Sequence, residues 1–582
     1  MDSRTLSEIS FTGSDRTKLM ANKNNEPQGA NRMMDRTLRG HLRQRWLLAM
    51  VVGLAGAAGV ATAFGAPSCD AVKQLAIEHT VIDVAQPIPA GGYQAPGGLE
   101  IKDVPAFCRV HGVISPVPGS QIGLELWLPD AGWNGKLEMF GNGGYSSKIA
   151  YGNLAEQLKR GYAVLGTDTG HSGDDPAFAA GHPEAIVDWG HRAVHAAVVS
   201  AKPIVTAFYG KAVEHAYFSG CSTGGHQALM EAQRYPGDFD GIIAGDPGHN
   251  RTHLNAGFLW QFVTNHRKTD GAEIIPSAKL AMISAAVLNA CRGRDGGLAT
   301  DKFLTAPEAC GFQPRDILCK AADTPDCLTE EQATALATMY GGARNPRTGE
   351  TIYSGWPKGS ENSGHVIASL PGWSLYWADP ADPGRPARTN FWKLWAFNDP
   401  DWDWKQFDFD AGMKVADDRL ASIINAMNPD LSAFQAAGGK LIQYHGLADP
   451  VVPPRDSIDY FEQVQRTMAK SASARGDESA DFYRLYLVPG MEHCGGGEGA
   501  NVLDVQRALE RWVEQGNAPA QIAATKFVHD RPDDGIAFTR PLCPYPQQAR
   551  YGGTGDSKDA ANFTCAPGHR DPEPVAAASY RR

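Results

Sequence analysis
Short, mostly apolar runs closed by glycine or aspartate turns alternate along this chain with longer stretches of helical spacing. That is the pattern of a largely parallel sheet covered by helices on both faces. Residues 110–114 and 124–128 alternate apolar and polar positions and open the sheet as antiparallel strands. Residues 136–140, 162–167, 215–218, 241–244, 440–444 and 484–488 supply further core strands. Residues 193–208 read as a covering helix, and 502–514 as an amphipathic helix that closes the fold.

The rhythm breaks once. Roughly 190 residues lie between the runs at 241–245 and 440–446, far beyond an ordinary connection, and they hold their own cysteines and many aromatics. They are expected to form an inserted lid. The chain then divides into an N-terminal extension at 1–63, a first core part at 64–249, the lid at 250–435 and a second core part at 436–582.

The chemistry concentrates at Ser219-Gly220-Cys221-Ser222-Thr223-Gly224-Gly225-His226, between an aromatic-rich strand and the helix formers 227–234. A strand that turns sharply into a helix through G-x-S-x-G is the nucleophile elbow, which lifts the serine hydroxyl into the open. Ser222 is the candidate nucleophile, against the competing reading of a plain Gly/Ser loop. Far downstream, Met491-Glu492-His493-Cys494 sets a cysteine beside a histidine, as Cys221 sits beside Ser222. If His493 is the base, it must come within about 3 Å of Ser222. The neighbouring cysteines then fall within reach of a disulfide, whose Cα atoms are about 5.5 Å apart.

Asp449, in the turn after the run at 440–446, lies between serine and histidine in sequence, where the order Ser, Asp, His of an α/β-hydrolase puts the acid. The glycine-rich loop Gly141-Asn142-Gly143-Gly144-Tyr145 lacks a P-loop lysine. In an esterase its Gly143 or Gly144 N–H would complete an oxyanion hole with the N–H of Thr223. His171, His191, His195, His226 and His445 lack the cysteine neighbour and are read as structural or pocket-lining.

Composition narrows the setting. A net charge of −11 over 582 residues, with no basic stripe after residue 50, excludes a nucleic-acid binder. Arg36, Arg39, Arg43 and Arg45 precede an apolar stretch that ends at Ala61-Thr62-Ala63, an export signal with its cleavage pattern; an uncleaved membrane anchor is the competing reading. The protein is expected to be secreted or periplasmic, without a stable membrane anchor. Ten cysteines without a C-x-x-C pair then imply disulfides. Proximity pairs Cys69 with Cys108, Cys291 with Cys310, Cys319 with Cys327, and Cys543 with Cys565. Cys221 is left for Cys494.

Gly220-Cys221-Ser222-Thr223-Gly224-Gly225, Asp449 and His493-Cys494 together resemble the tannase/feruloyl esterase family, as do Asp168-Thr169-Gly170-His171, residues 188–195 and Asn398-Asp399-Pro400-Asp401-Trp402. The resemblance implies a serine esterase with an α/β-hydrolase core and a lid, acting on small aromatic esters and needing no cofactor for its chemistry. Feruloyl and other hydroxycinnamoyl esters come first. Galloyl esters and mono(2-hydroxyethyl) terephthalate are alternatives, and an inactive binding protein is the alternative of another class. The lid's Trp373, Trp377 and Trp392 are candidate surfaces for an aromatic acid, with Arg385 and Arg388 as cations for a carboxylate or phenol.

The resemblance also implies a structural calcium loop of the form Asp-x-x-Asp-Gly-x-x-Asp-Gly after a cysteine. Here the segment runs Cys291-Arg292-Gly293-Arg294-Asp295-Gly296, with Asp301 displaced downstream. Arg292 stands where the first carboxylate belongs. Asp295 and Asp301 remain as candidate ligands, but a guanidinium in that place repels the ion. The expectation is a weakened or absent calcium, with Arg292 paired to Asp295 or Asp301.

Overall fold
The computed structural model describes residues 68–364, 372–379, 381–475, 481–570 and 573–581. The export signal and its Ala61-Thr62-Ala63 site lie outside the described residues. Among the described residues no helix is long and apolar enough to cross a membrane.

Nine strands form one sheet: β1 (Thr80–Ile88), β2 (Phe107–Ile114), β3 (Ile122–Pro129), β4 (Lys136–Phe140), β5 (Ala163–Thr167), β6 (His215–Cys221), β7 (Gly241–Gly245), β8 (Lys440–Gly446) and β9 (Tyr483–Val488). Their spatial order is β1-β2-β3-β5-β4-β6-β7-β8-β9. The first three strands and β5 pair antiparallel, and every pairing from β5 and β4 onward is parallel. β5 and β7 are buried at every position, which is why they read as continuous apolar runs.

Helices cover both faces, among them α1 (Ala193–Tyr209), α2 (Thr223–Arg234) and α4 (Val505–Gln515), whereas α3 (Arg251–Asn265) packs in the lid. The core is therefore split by the sheet: Leu126, Leu165, Phe218 and Leu229 pack on one side, and Trp127, Val164, Tyr217 and Trp512 on the other. This is an α/β-hydrolase core, with the lid inserted between β7 and β8. Phe258, Trp356, Trp392 and Trp395 belong to a third apolar cluster within the lid.

The closing helix starts later than the apolar spacing suggests. Val502 and Leu503 pair as a short strand with Thr525 and Ala524, and the helix begins at Val505 after Asp504. The C-terminal strands Ile536–Leu542, Gln547–Tyr551 and Phe563–Pro567 carry no clean alternation of apolar and polar positions.

The ten cysteines pair as 69–108, 221–494, 291–310, 319–327 and 543–565. The Cys291 loop, however, corrects two expectations. Asp301 pairs with Arg540 of the C-terminal strand at 3.0 Å, not with Arg292. Asp295 is buried, and its oxygens accept backbone N–H groups from Gly297, Thr305 and Ala306.

Calcium needs several oxygens turned toward one point. In this loop the carboxylates face N–H donors and a guanidinium, so the donor set does not fit the ion. We predict no stoichiometric calcium by metal analysis after dialysis. Arg540→Ala should lower stability in denaturant by about 3 kcal/mol, because it strands Asp301 without its counter-charge; Arg540→Met with Asp301→Leu should recover most of that loss.

Candidate active site
The elbow forms because only a strained turn can carry β6 into α2 so abruptly. Ser222 takes φ 61° and ψ −116°, a conformation of high cost for a residue with a side chain. The turn closes because its glycines leave room: a Cβ on Gly220 would lie 2.5 Å from Gly224 carbonyl atoms, and one on Gly225 would lie 2.4 Å from the Gly245 oxygen. The Ser222 N–H donates to that same Gly245 oxygen at 2.9 Å, fixing the turn to β7.

Across from the elbow, the disulfide between Cys221 and Cys494 holds their Cα atoms 5.9 Å apart over 273 residues of chain. His493, the residue before Cys494, is thereby tied to the segment that carries Ser222. Its Nδ1 meets Asp449 Oδ2 at 2.7 Å, and Asp449 Oδ1 accepts the N–H groups of Val451 and Val452 at 2.7 and 3.0 Å. The Ser222 hydroxyl makes no hydrogen bond among the described residues. Such contacts are often long in the free enzyme and tighten when substrate binds.

Burial alone would lower the pKa of His493, but the Asp449 charge and hydrogen bond, with the Asp246 charge, outweigh it and hold the imidazole above its usual value. Burial pushes the Asp449 carboxyl up; His493 and His445 overcome that and hold it well below the carboxylate range. The acid thus stays ionised and the base titrates high.

Asp246, which carries no sequence motif, and His445, expected to be structural or pocket-lining, complete this cluster. His445, buried in β8, sets Nε2 2.9 Å from the Val452 oxygen, 3.3 Å from Asp449 Oδ2 and 3.8 Å from Asp246 Oδ1, while Nδ1 meets the Ser457 hydroxyl at 2.7 Å. Asp246, at the exit of β7, accepts the N–H groups of Gly446 at 2.7 Å and Cys494 at 3.2 Å, and its Oδ2 lies 3.4 Å from the bonded Cys221 sulfur. Burial, reinforced by the Asp449 charge, raises the Asp246 pKa. Their sequence signal is position alone: each ends a core strand beside the elbow or the acid.

The glycine-rich loop is stitched to the elbow. Asn142 N–H donates to Gln227 Oε1 on α2 at 3.0 Å, and the Thr223 hydroxyl donates to the Gly144 oxygen at 2.8 Å. The N–H of Thr223 opens α2, where no intrahelical acceptor exists. A Cβ on Gly143 or Gly144 would meet nothing within 4 Å, so space adjoins the loop. Beside it, His171 stacks on Phe178 at 3.7 Å, and the Arg388 guanidinium lies 5.1 Å from the Tyr145 ring.

The proposed aromatic surfaces are placed elsewhere. Trp373, Trp377 and Trp392 are buried in the lid core, the first two with their indole N–H groups on Ser360 and Gln261. Their rings are covered by protein, because an apolar lid of this size needs its largest side chains for its own packing. Arg385 pairs with Asp379 at 2.6 Å.

Comparison with known proteins agrees with this geometry. The family model for tannase and feruloyl esterase matches residues 108–566. The chain belongs to the tannase and feruloyl esterase family. An uncharacterized esterase of Xanthomonas campestris pv. campestris is 38% identical over 543 residues, covering 87% of this chain and 92% of that protein. The mono(2-hydroxyethyl) terephthalate hydrolase of Piscinibacter sakaiensis is 31% identical over 570 residues, covering 84% and 88%. The crystal structure of feruloyl esterase B from Aspergillus oryzae superposes with a TM-score of 0.75 at 25% identity, covering 86% of this chain and 100% of that one. This member of the family is a carboxylic ester hydrolase, and its relatives point to esters of aromatic acids.

Opening the disulfide should release the His493 loop from the elbow. The Cys221→Ser/Cys494→Ser variant is expected to lose roughly 2–5 kcal/mol of stability in denaturant titration. Its esterase activity should fall at least a hundredfold under conditions where it remains folded by circular dichroism.

Proposed function
We propose that the protein is a secreted serine esterase that cleaves esters of aromatic acids, hydroxycinnamoyl esters first among them, through Ser222, His493 and Asp449. The observation that supports this reading is the disulfide of Cys221 with Cys494, which joins the segment of the strained Ser222 to that of a histidine bonded to a buried carboxylate.

In this mechanism His493 Nε2 takes the proton of Ser222 as the hydroxyl oxygen attacks the ester carbonyl. The tetrahedral oxyanion is held by the N–H of Thr223 and that of Gly143 or Gly144. His493 returns the proton to the leaving alcohol, and the acyl-enzyme remains. Water, deprotonated by the same imidazole, then releases the acid. Asp449 holds the tautomer with Nδ1–H and stabilises the imidazolium. Arg388, beside the oxyanion loop, is the cation placed to meet a phenol or carboxylate on the acid half.

A fluorophosphonate probe should label the wild type and not Ser222→Ala; equal labelling, or none, would overturn the serine assignment and favour a binding protein. Initial rates on methyl ferulate, methyl gallate and the terephthalate monoester rank the substrates, with ferulate expected highest.

The pH profile tests the base. Catalysis needs neutral His493, whose pKa lies above 6.5, so kcat/KM should fall on the acid side with an apparent pKa above that value. Asp449→Asn removes the charge that raises it. The acid limb should then move to lower pH, while kcat drops roughly 10³–10⁴-fold.

A further inference from the structure
A cavity of about 230 Å³ lies where the lid loop, the end of β9 and the C-terminal strands meet. Phe303, Leu447, Val488, Leu542, Arg550 and Phe563 are among its walls, and none of Ser222, Asp449 and His493 is. It is larger than a 150 Å³ apolar cavity known to admit benzene.

The lining's charges decide what fits. Among the described residues Asp301 is its only carboxylate, and it is already paired with Arg540. Among the described residues Arg550 pairs with no carboxylate: its guanidinium packs over Gly296, at φ 89°, and donates to the neutral Gln548 Oε1 at 3.3 Å. His569, exposed, is the one histidine among the described lining residues. The cavity therefore offers flat apolar walls, two phenyl rings and a cation without a counter-ion.

We propose that this cavity is a second small-molecule site, which binds a single-ring aromatic carboxylate with its ring on the apolar walls and its carboxylate on Arg550. A guanidinium grips a carboxylate through two parallel N–H donors, and a neutral ligand of the same shape forfeits that pairing. Hydrolysis of aromatic esters yields acids of this class, so the occupant is a product-like anion. The position matters to the enzyme because Leu447 precedes Asp449 by two residues, and Val488 ends the strand that leads to His493. Phe303 also packs against Gly490, where a Cβ would lie 2.3 Å from its ring.

The site stands independently of the catalytic assignment, and the test separates the two. Full-length protein is first saturated with a fluorophosphonate to occupy the elbow, then titrated calorimetrically with 4-hydroxybenzoate. One-to-one binding is expected, weakened about tenfold or more in Arg550→Ala and abolished in Leu542→Trp, which fills the cavity. 4-Hydroxybenzamide should bind at least tenfold more weakly than the acid.

Both variants should keep wild-type esterase activity on a small ester, which shows that they fold. No binding to the blocked enzyme, or binding that neither variant changes, would overturn the proposal. Equal affinity for acid and amide would overturn the role of Arg550. Failure of the fluorophosphonate to react would instead count against Ser222, and the two variants, titrated unlabelled, would still decide the cavity.

Discussion
The covalent link between Cys221 and Cys494 is the constraint on which the rest of this structure depends. One of the residues it ties, Cys494 at φ 64°, and the residue that follows the other, Ser222 at φ 61°, are each held in an unfavourable conformation. Strain of this kind persists only where the surroundings over-determine it. Here they do: the elbow is bonded to β7 through Gly245, and the Cys494 N–H is bonded to Asp246, which leaves β7 one residue later. One strand thus anchors both sides of the disulfide, and the histidine loop inherits its position from the sheet rather than from its own flexible connection.

That anchoring brings two carboxylates and two imidazoles into one buried cluster. Asp449 shares its charge between His493 and His445, while Asp246 faces His445 from the other side and carries two backbone N–H donors. A disulfide sulfur carries no proton, so the contact between Asp246 and Cys221 offers the carboxylate nothing. The backbone donors and His445 must stabilise it alone, and burial wins: the Asp246 pKa rises while that of Asp449 falls. Two adjacent acids are thereby pushed in opposite directions, and the one bonded to His493 holds its charge to the lower pH.

What could be read from the sequence follows from the range of each interaction. The elbow, the His493-Cys494 pair and the Asp449 turn are local signals, each specified within a few residues by glycine, cysteine or proline chemistry. The sheet strands were legible because burial on both faces writes itself as an apolar run. The partner of Asp301 was not, because Arg540 lies 239 residues away and nothing near Asp301 encodes it. Trp373, Trp377 and Trp392 misled for a related reason: a ring that packs a lid core and a ring that packs a substrate have the same sequence. Asp246 and His445 were hidden by their ordinary role as strand ends, and became visible only when β7 and β8 were placed side by side.

The Arg540–Asp301 pair shows how the lid loop is held without relying on a metal ion's ligand geometry. Burial raises the pKa of Asp301, and burial lowers that of Arg540 despite the attraction between them. Both shifts mean that desolvation exceeds the Coulombic return, so the pair adds little net stability compared with an apolar contact of the same shape. Its value is positional. With one partner removed, the other is left buried with an uncompensated charge, so the two segments are held to a single meeting point by the cost of every other arrangement. A calcium ion would impose the same constraint through its coordination shell; here a guanidinium from the C-terminal strand imposes it, and the lid loop is registered against the strands that follow His493.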